Sequence, residues 1–325
     1  MKCKKSLMGI AAILILIFHF YIPFTDSIYE LSFRKASYIG VELFFFLSAC
    51  SIGKNTFIKF VPFIKNRLLL VYVPFVAFSV IAFFFKSWEF VRFLKVISGI
   101  ELFERGGGAF LWFAPGIMIL YLFCPALVAL KRRFGQASLL IMLLIWAALS
   151  VVLQYVLHYD TIFILVNRFP IFFTGLFYDD FRKKDAEGLS LPVIAAVMVL
   201  GGFLLFKYAS LTRLMKPLKD FYYIAAIPFS VSLVALCDYI SEKVRFRNIP
   251  FGFIGTISFE IYASQMIFGY DIEGAVLKKT GNGQIAFLAS CLILVALAYG
   301  FYRIKLLSFA AAKAVFSRLK LKNAP

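Results

Sequence analysis

The stretch LLLVYVPFVAFSVIAFFF, Leu68–Phe85, runs for eighteen residues without a charge. A helix needs about 20 mostly apolar residues to cross a hydrocarbon core roughly 30 Å thick. Lys65 and Arg67 precede the run and Lys86 follows it, as polar flanks do at the ends of a spanning helix. Further segments of the same kind lie on both sides. Before it come Leu7–Phe24 and Tyr38–Ile52. After it come Ala109–Leu130, Ser138–Leu157, Thr161–Tyr178, Leu191–Tyr208, Phe221–Tyr239, Phe251–Tyr270 and Gln284–Leu307. The pattern predicts an all-α, polytopic integral membrane bundle of about ten transmembrane helices. Short loops leave no room for a second folding unit, so residues 1–325 read as one domain.

Composition agrees with that reading. Hydrophobic residues make up 62% of the chain, charged residues 16%, and mean hydropathy is +0.89. Soluble domains keep roughly a quarter of their residues charged. The net charge of +18 would suggest nucleic acid in a soluble protein. Here it fits loops that face the cytoplasm and meet anionic lipid, so the bilayer is the expected partner and nucleic acid is not. With the N-terminus inside, inner segments hold twenty-two Lys and Arg and outer segments twelve. The bias places both termini in the cytoplasm, against a basic outer loop at Lys207–Lys219. Lys2, Lys4 and Lys5 before an apolar run imitate a signal peptide, but bulky Tyr21–Phe24 offers no cleavage site; the segment reads as a retained first helix. Residues 308–325 interleave apolar and basic side chains, as an amphipathic cytoplasmic tail would. Gly106–Gly108 carries no phosphate-loop pattern and reads as a flexible lead into the fourth helix.

Few residues are placed to carry chemistry. Cys3, Cys50, Cys124, Cys237 and Cys291 are scattered and form no CxxC pair. With His19 and His158 they match no metal-ligand spacing, so no metal and no bound cofactor are expected. Ionisable groups inside spans are costly and are functional candidates by default. They are His19, Glu42, Arg168 and Glu260, with Arg67 and Asp238 at span edges. His19 has the chemistry of a general base, or of a histidine hydrogen-bonded within the bundle. Glu42, amid Phe44–Phe46, must be paired, hydrated or protonated; it either orients His19 or pairs with Arg168. Arg67 suits a phosphate or marks topology. Arg168 precedes Pro170, which breaks a helix locally. Glu260 reads as a site residue or an inter-helix contact, and Trp112 as a membrane-interface residue.

The order of these motifs resembles that of the acyltransferase family 3 proteins, bacterial membrane enzymes that O-acylate cell-surface sugars. ILILIFHF (Ile13–Phe20), GVELFFFLS (Gly40–Ser48) and KNRLLLVYVPF (Lys65–Phe75) come first. LWF (Leu111–Phe113), RFPIFFTG (Arg168–Gly175) and SFEIY (Ser258–Tyr262) follow in family order. The family's usual arginine eleven residues before the histidine is Met8 here. Its second basic-motif arginine is Leu70, its small glycine after Leu-Ser is Ala49, and a common later histidine is Gln265. Lys5, on the helix face of Met8, is a candidate for the missing charge.

The resemblance implies about ten helices and transfer of an acyl group, usually acetyl, from coenzyme A, a substrate rather than a bound cofactor. The acceptor would be a hydroxyl of an envelope glycan or a lipid-linked sugar, and the location the bacterial cytoplasmic membrane. His19 would be the catalytic histidine, with Glu42 orienting or charge-balancing it. Arg67, Arg168, Tyr72, Glu260 and Tyr262 would bind donor or acceptor. Two other functions fit the same intramembrane charges: a transporter or flippase for an acyl donor or glycolipid, and a catalytically inactive member acting as an assembly subunit.

Overall fold

Backbone polar groups in lipid have no water to bond, so a spanning chain satisfies them within helices. The computed structural model follows that rule and describes residues 3–20, 28–184, 191–211, 221–243 and 250–322. It is all-helical, with no strand among the described residues. The order is α1 (Lys4–Phe18), α2 (Ile28–Ala36), α3 (Ile39–Gly53), α4 (Phe60–Arg67), α5 (Val73–Phe85), α6 (Phe90–Ser98), α7 (Ile100–Arg105) and α8 (Phe113–Phe134). Then come α9 (Ala137–Val151), α10 (Phe163–Val166), α11 (Phe169–Lys184), α12 (Leu191–Leu211), α13 (Phe221–Lys243), α14 (Pro250–Thr256), α15 (Ser258–Thr280) and α16 (Gly283–Lys322).

Five helical stretches among the described residues are long and apolar enough to cross a membrane. They are Ser32–Gly53, Phe60–Phe85, Phe113–Phe134, Ala137–Val156 and Gly283–Ala310, with shorter apolar helices over Val193–Lys207 and Ala225–Ser241. Leu140, Leu144 and Ile145 of α9 are more than 60% exposed, an outer surface suited to lipid rather than water. The chain is a multi-pass membrane protein.

The helix boundaries differ from the sequence expectations in an informative way. The first span stops at Phe18, so His19 caps α1 instead of lying within a longer helix. The sixth breaks at Asn167–Arg168 into α10 and α11, and the ninth breaks at Ile257 (φ −108°) into α14 and α15. Local partners accept these breaks. Trp146 Nε1 donates to the Val166 carbonyl at 2.9 Å, and Gln265 Nε2 donates to the Leu16 carbonyl at 3.1 Å. The third helix begins earlier than expected, at Phe60, because a π-helical turn at Leu68–Tyr72 joins α4 to α5 without a stop. Pro74 follows as an early residue of α5. Having no N–H, a proline removes a rung from the ladder, and π turns accommodate such interruptions.

The Gly106–Gly108 segment is anchored at buried Gly106, while Gly107 and Gly108 are exposed. It forms a short 3-10 turn, and a Cβ on Gly106 would lie 2.4 Å from the Thr161 carbonyl oxygen. The buried Glu101 carboxylate secures this connection. It accepts from the Phe110 N–H at 2.8 Å, Arg92 Nε at 3.1 Å and Arg105 Nη1 at 3.2 Å. The expected C-terminal tail continues α16 as one helix through Lys322. Of the basic loop expected at Lys207–Lys219, the part from residue 212 lies outside the described residues.

The core centres on α3, whose Leu43, Phe45, Phe46 and Leu47 are buried against α8 and α11. Without a hydrophobic force between helices in lipid, small residues and polar contacts hold a bundle together. Lys131 supplies such a contact at the basic end. Its ammonium donates to the Gly53 carbonyl at 2.9 Å and the Leu176 carbonyl at 2.7 Å, and pairs with Asp180 at 2.7 Å. It thus fastens α3, α8 and α11 together.

The crossing of α1 and α14 rests on glycine. A Cβ at Gly255 would stand 1.8 Å from the Lys5 carbonyl oxygen, and one at Gly9 2.0 Å from the Phe251 carbonyl oxygen. A Cβ at Gly252 meets nothing closer than Ser6 Oγ at 3.8 Å. Gly255→Ala is therefore expected to lower the thermal midpoint in detergent, by about 1–3 kcal/mol of overpacking, while Gly252→Ala stays near wild type. Equal midpoints for the two variants would contradict this crossing.

Candidate functional site

A cavity of about 210 Å³ opens between α1, α3, α4 with its π turn, α8 and α15. Its polar groups divide between two ends. At one end lie Lys4, Ser48, Ser51, Arg67 and Tyr121; toward the other lie His19, Tyr38, Trp112, Phe113 and Tyr262. Met8 and Ile15 form the wall between them. From Lys4 to His19 the fifteen-residue rise of α1 spans about 22 Å. Among the described residues no carboxylate lines this cavity.

His19 stands where α1 ends. Its Nδ1 lies 3.1 Å from the Ile15 carbonyl oxygen. A carbonyl can only accept, so Nδ1 carries the proton and Nε2 is the basic nitrogen of the neutral ring. Gln265 holds the neighbouring Leu16 carbonyl, and the His19 ring packs edge-on against Phe18 at 4.9 Å and 6.4 Å from the Tyr262 ring. The early end of α1 thus presents the imidazole inside the bundle.

Arg67 is the last residue of α4, immediately before the π turn. Its guanidinium lies over Phe63 at 5.0 Å and Tyr121 at 4.9 Å, contacts that favour a cation and leave its donors free for a ligand. Lys4 Nζ donates to Ser51 Oγ at 2.5 Å, and Ser51 in turn donates to the Leu47 carbonyl at 2.9 Å.

Glu42 and Arg168 lie behind the cavity wall. Both side chains are fully buried, with Arg168 Nε 3.0 Å from Glu42 Oε1. Of the two partners open to Glu42 in the sequence, the structure supplies Arg168. Arg168 Nη1 also donates to the Ile164 carbonyl at 2.5 Å, a group freed by the break after α10. The guanidinium contacts the Tyr38, Trp112 and Tyr223 rings at 5.0, 5.1 and 4.4 Å. Tyr38 and Trp112 face the cavity on their other side. Trp112 is thus a buried wall residue, 5% exposed, not the interface marker expected.

The structure therefore gathers His19, Arg67 and Tyr262 around one cavity and sets Glu42 and Arg168 directly behind it. Tyr72 and Glu260 turn elsewhere. The Tyr72 hydroxyl donates to the Ile97 carbonyl at 2.5 Å, because the π turn points it at α6. Glu260 pairs with Lys305 of α16 in a separate apolar groove with Val73, Pro74 and Phe301. Neither lines this cavity, although the resemblance counts both among the donor- or acceptor-binding residues. Lys4, Ser51 and Tyr38 were not singled out in the sequence. Only the basic cluster at the N-terminus hinted at Lys4, and Lys5, the lysine preferred there, is exposed.

The multi-pass bundle thus encloses a cavity with a part-buried histidine at one end and two cations at the other. A family model, the acyltransferase domain of acyltransferase family 3, matches residues 7–303. The chain belongs to that family. No curated protein matches it, and no solved structure does.

Proposed function

We propose that this protein is a membrane O-acyltransferase that moves an acetyl group from acetyl-CoA to a hydroxyl of an envelope glycan or lipid-linked sugar. The observation that carries the reading is the single cavity shared by His19 and Arg67. Arg67 holds donor phosphate on the cytoplasmic side of a bacterial inner membrane, and the thioester reaches along α1 toward His19. Nε2 of His19 accepts the proton of the acceptor hydroxyl as its oxygen attacks the thioester carbonyl. The C–S bond breaks, and the imidazolium returns the proton to the departing thiolate. Tyr262 borders the reacting end. Glu42 balances Arg168, and the pair fixes Tyr38 and Trp112 in the wall.

The topology proposed with this function has about ten helices crossing the bilayer and both termini in the cytoplasm. Lys4, Lys54, Arg67 and Lys131 gather at the donor end, as positive-inside orientation requires.

Membrane vesicles containing the protein, supplied with labelled acetyl-CoA and envelope glycan, are expected to form a base-labile acetyl ester. Vesicles without the protein should form none. Absence of ester across several glycan pools, with labelled donor or glycolipid crossing the bilayer, would replace this reading with a transporter.

A further inference from the structure

At the basic end of the bundle most cations have a carboxylate. Lys54 lies 3.6 Å from Asp179, Lys131 2.7 Å from Asp180, and Arg182 3.3 Å from Asp238. Lys4 and Arg67 differ. Both line the cavity; among the described residues no Asp or Glu lines it with them, and Arg67 Nε is buried without a hydrogen-bond partner. Two cations withdrawn from water without a counter-charge are costly, and an anion in the cavity removes that cost.

The geometry of the two groups narrows the anion. The Lys4 ammonium has three donors. One is held by Ser51, which fixes the ammonium against α3 and leaves two for a ligand. The Arg67 guanidinium, between Phe63 and Tyr121, offers a planar fork on another wall. A point charge and a fork contributed by α1 and α4 match two linked phosphates, one for each cation.

We propose that Lys4 and Arg67 form a clamp for a diphosphate group, with Lys4 as a binding residue that Ser51 positions. This rests on the reading of the Arg67 end as a phosphate site. The diphosphate has two chemical sources, a coenzyme A donor and a polyprenyl diphosphate-linked acceptor. Lys5 is outside the clamp; its side chain is exposed.

The test is binding of radiolabelled inorganic pyrophosphate to the full chain in phosphatidylcholine nanodiscs, which needs no turnover. Saturable binding is expected, with Kd raised about tenfold or more in Lys4→Gln and in Arg67→Gln, as loss of a charge-assisted hydrogen bond implies. Lys4→Arg should restore it, and Lys5→Gln should match wild type. Size-exclusion profiles of the variants show that each is folded. Wild-type affinity in folded Lys4→Gln, an equal loss in Lys5→Gln, or no saturable binding would overturn the clamp. Competition separates the sources. Displacement by coenzyme A but not pantetheine assigns the clamp to the donor. Displacement by farnesyl diphosphate alone keeps the clamp and moves it to a lipid-linked acceptor, which removes Arg67 from the donor site of the proposed function.

Discussion

His19→Ala is expected to reduce acetyl transfer in vesicles by roughly 100- to 10,000-fold, the range that a positioned general base contributes. The reasoning starts with the helix end. Because α1 stops at Phe18, the imidazole is not packed along a helix flank but projects from its terminus. The Ile15 carbonyl holds Nδ1, which leaves Nε2 to take a proton. Alanine removes that nitrogen and the ring's contact with Tyr262, but Gln265 still holds the Leu16 carbonyl. Protein amount and thermal midpoint should therefore stay close to wild type while transfer is lost. His19→Gln refines the measurement, since glutamine keeps a polar side chain that cannot act as a base at neutral pH. Full transfer in His19→Gln would remove His19 from the chemistry and leave it a hydrogen-bonding role.

The largest expected effect on stability comes from the Glu42–Arg168 pair. Both side chains are fully buried, and Arg168 also touches three aromatic rings. Glu42→Gln leaves a buried guanidinium without its counter-charge, which costs about 3–5 kcal/mol in comparable sites. Thermal unfolding in detergent should show a markedly lower midpoint. The double variant Glu42→Gln with Arg168→Met removes the stranded charge as well, so it should recover much of the loss. A double variant less stable than Glu42→Gln alone would mean that the pair stabilises by packing on Tyr38, Trp112 and Tyr223 rather than by charge balance.

The helical character of the chain was legible because uncharged runs such as Leu68–Phe85 admit little else. Family membership was legible in the order of short motifs, none decisive alone. The helix breaks were not, since apolar composition continues across His19, Arg168 and Ile257 without a change of period. What marks them is tertiary: the Gln265 amide and the Trp146 indole N–H donate to carbonyls freed on other helices. The choice between Lys4 and Lys5 failed for a similar reason. Adjacent helical residues point about 100° apart, and which one faces the cavity depends on where α3 and α14 pack against α1. Glu260 shows the same dependence, because its partner Lys305 lies on α16, forty-five residues away.

The π turn between α4 and α5 also divides one long helix into two registers. A π turn holds about one residue more than an α turn, and one residue corresponds to about 100° of rotation. Arg67 and the residues before it belong to one helical wheel; Phe75 and Phe78, buried in the core, belong to another. A single wheel drawn over Phe60–Phe85 would assign the wrong face to half its positions. Deleting one residue within Leu68–Tyr72 and inserting one there are accordingly unequal changes: deletion permits a continuous α register up to the rung that Pro74 lacks but swings one half away from its neighbours, whereas insertion widens an interruption already present.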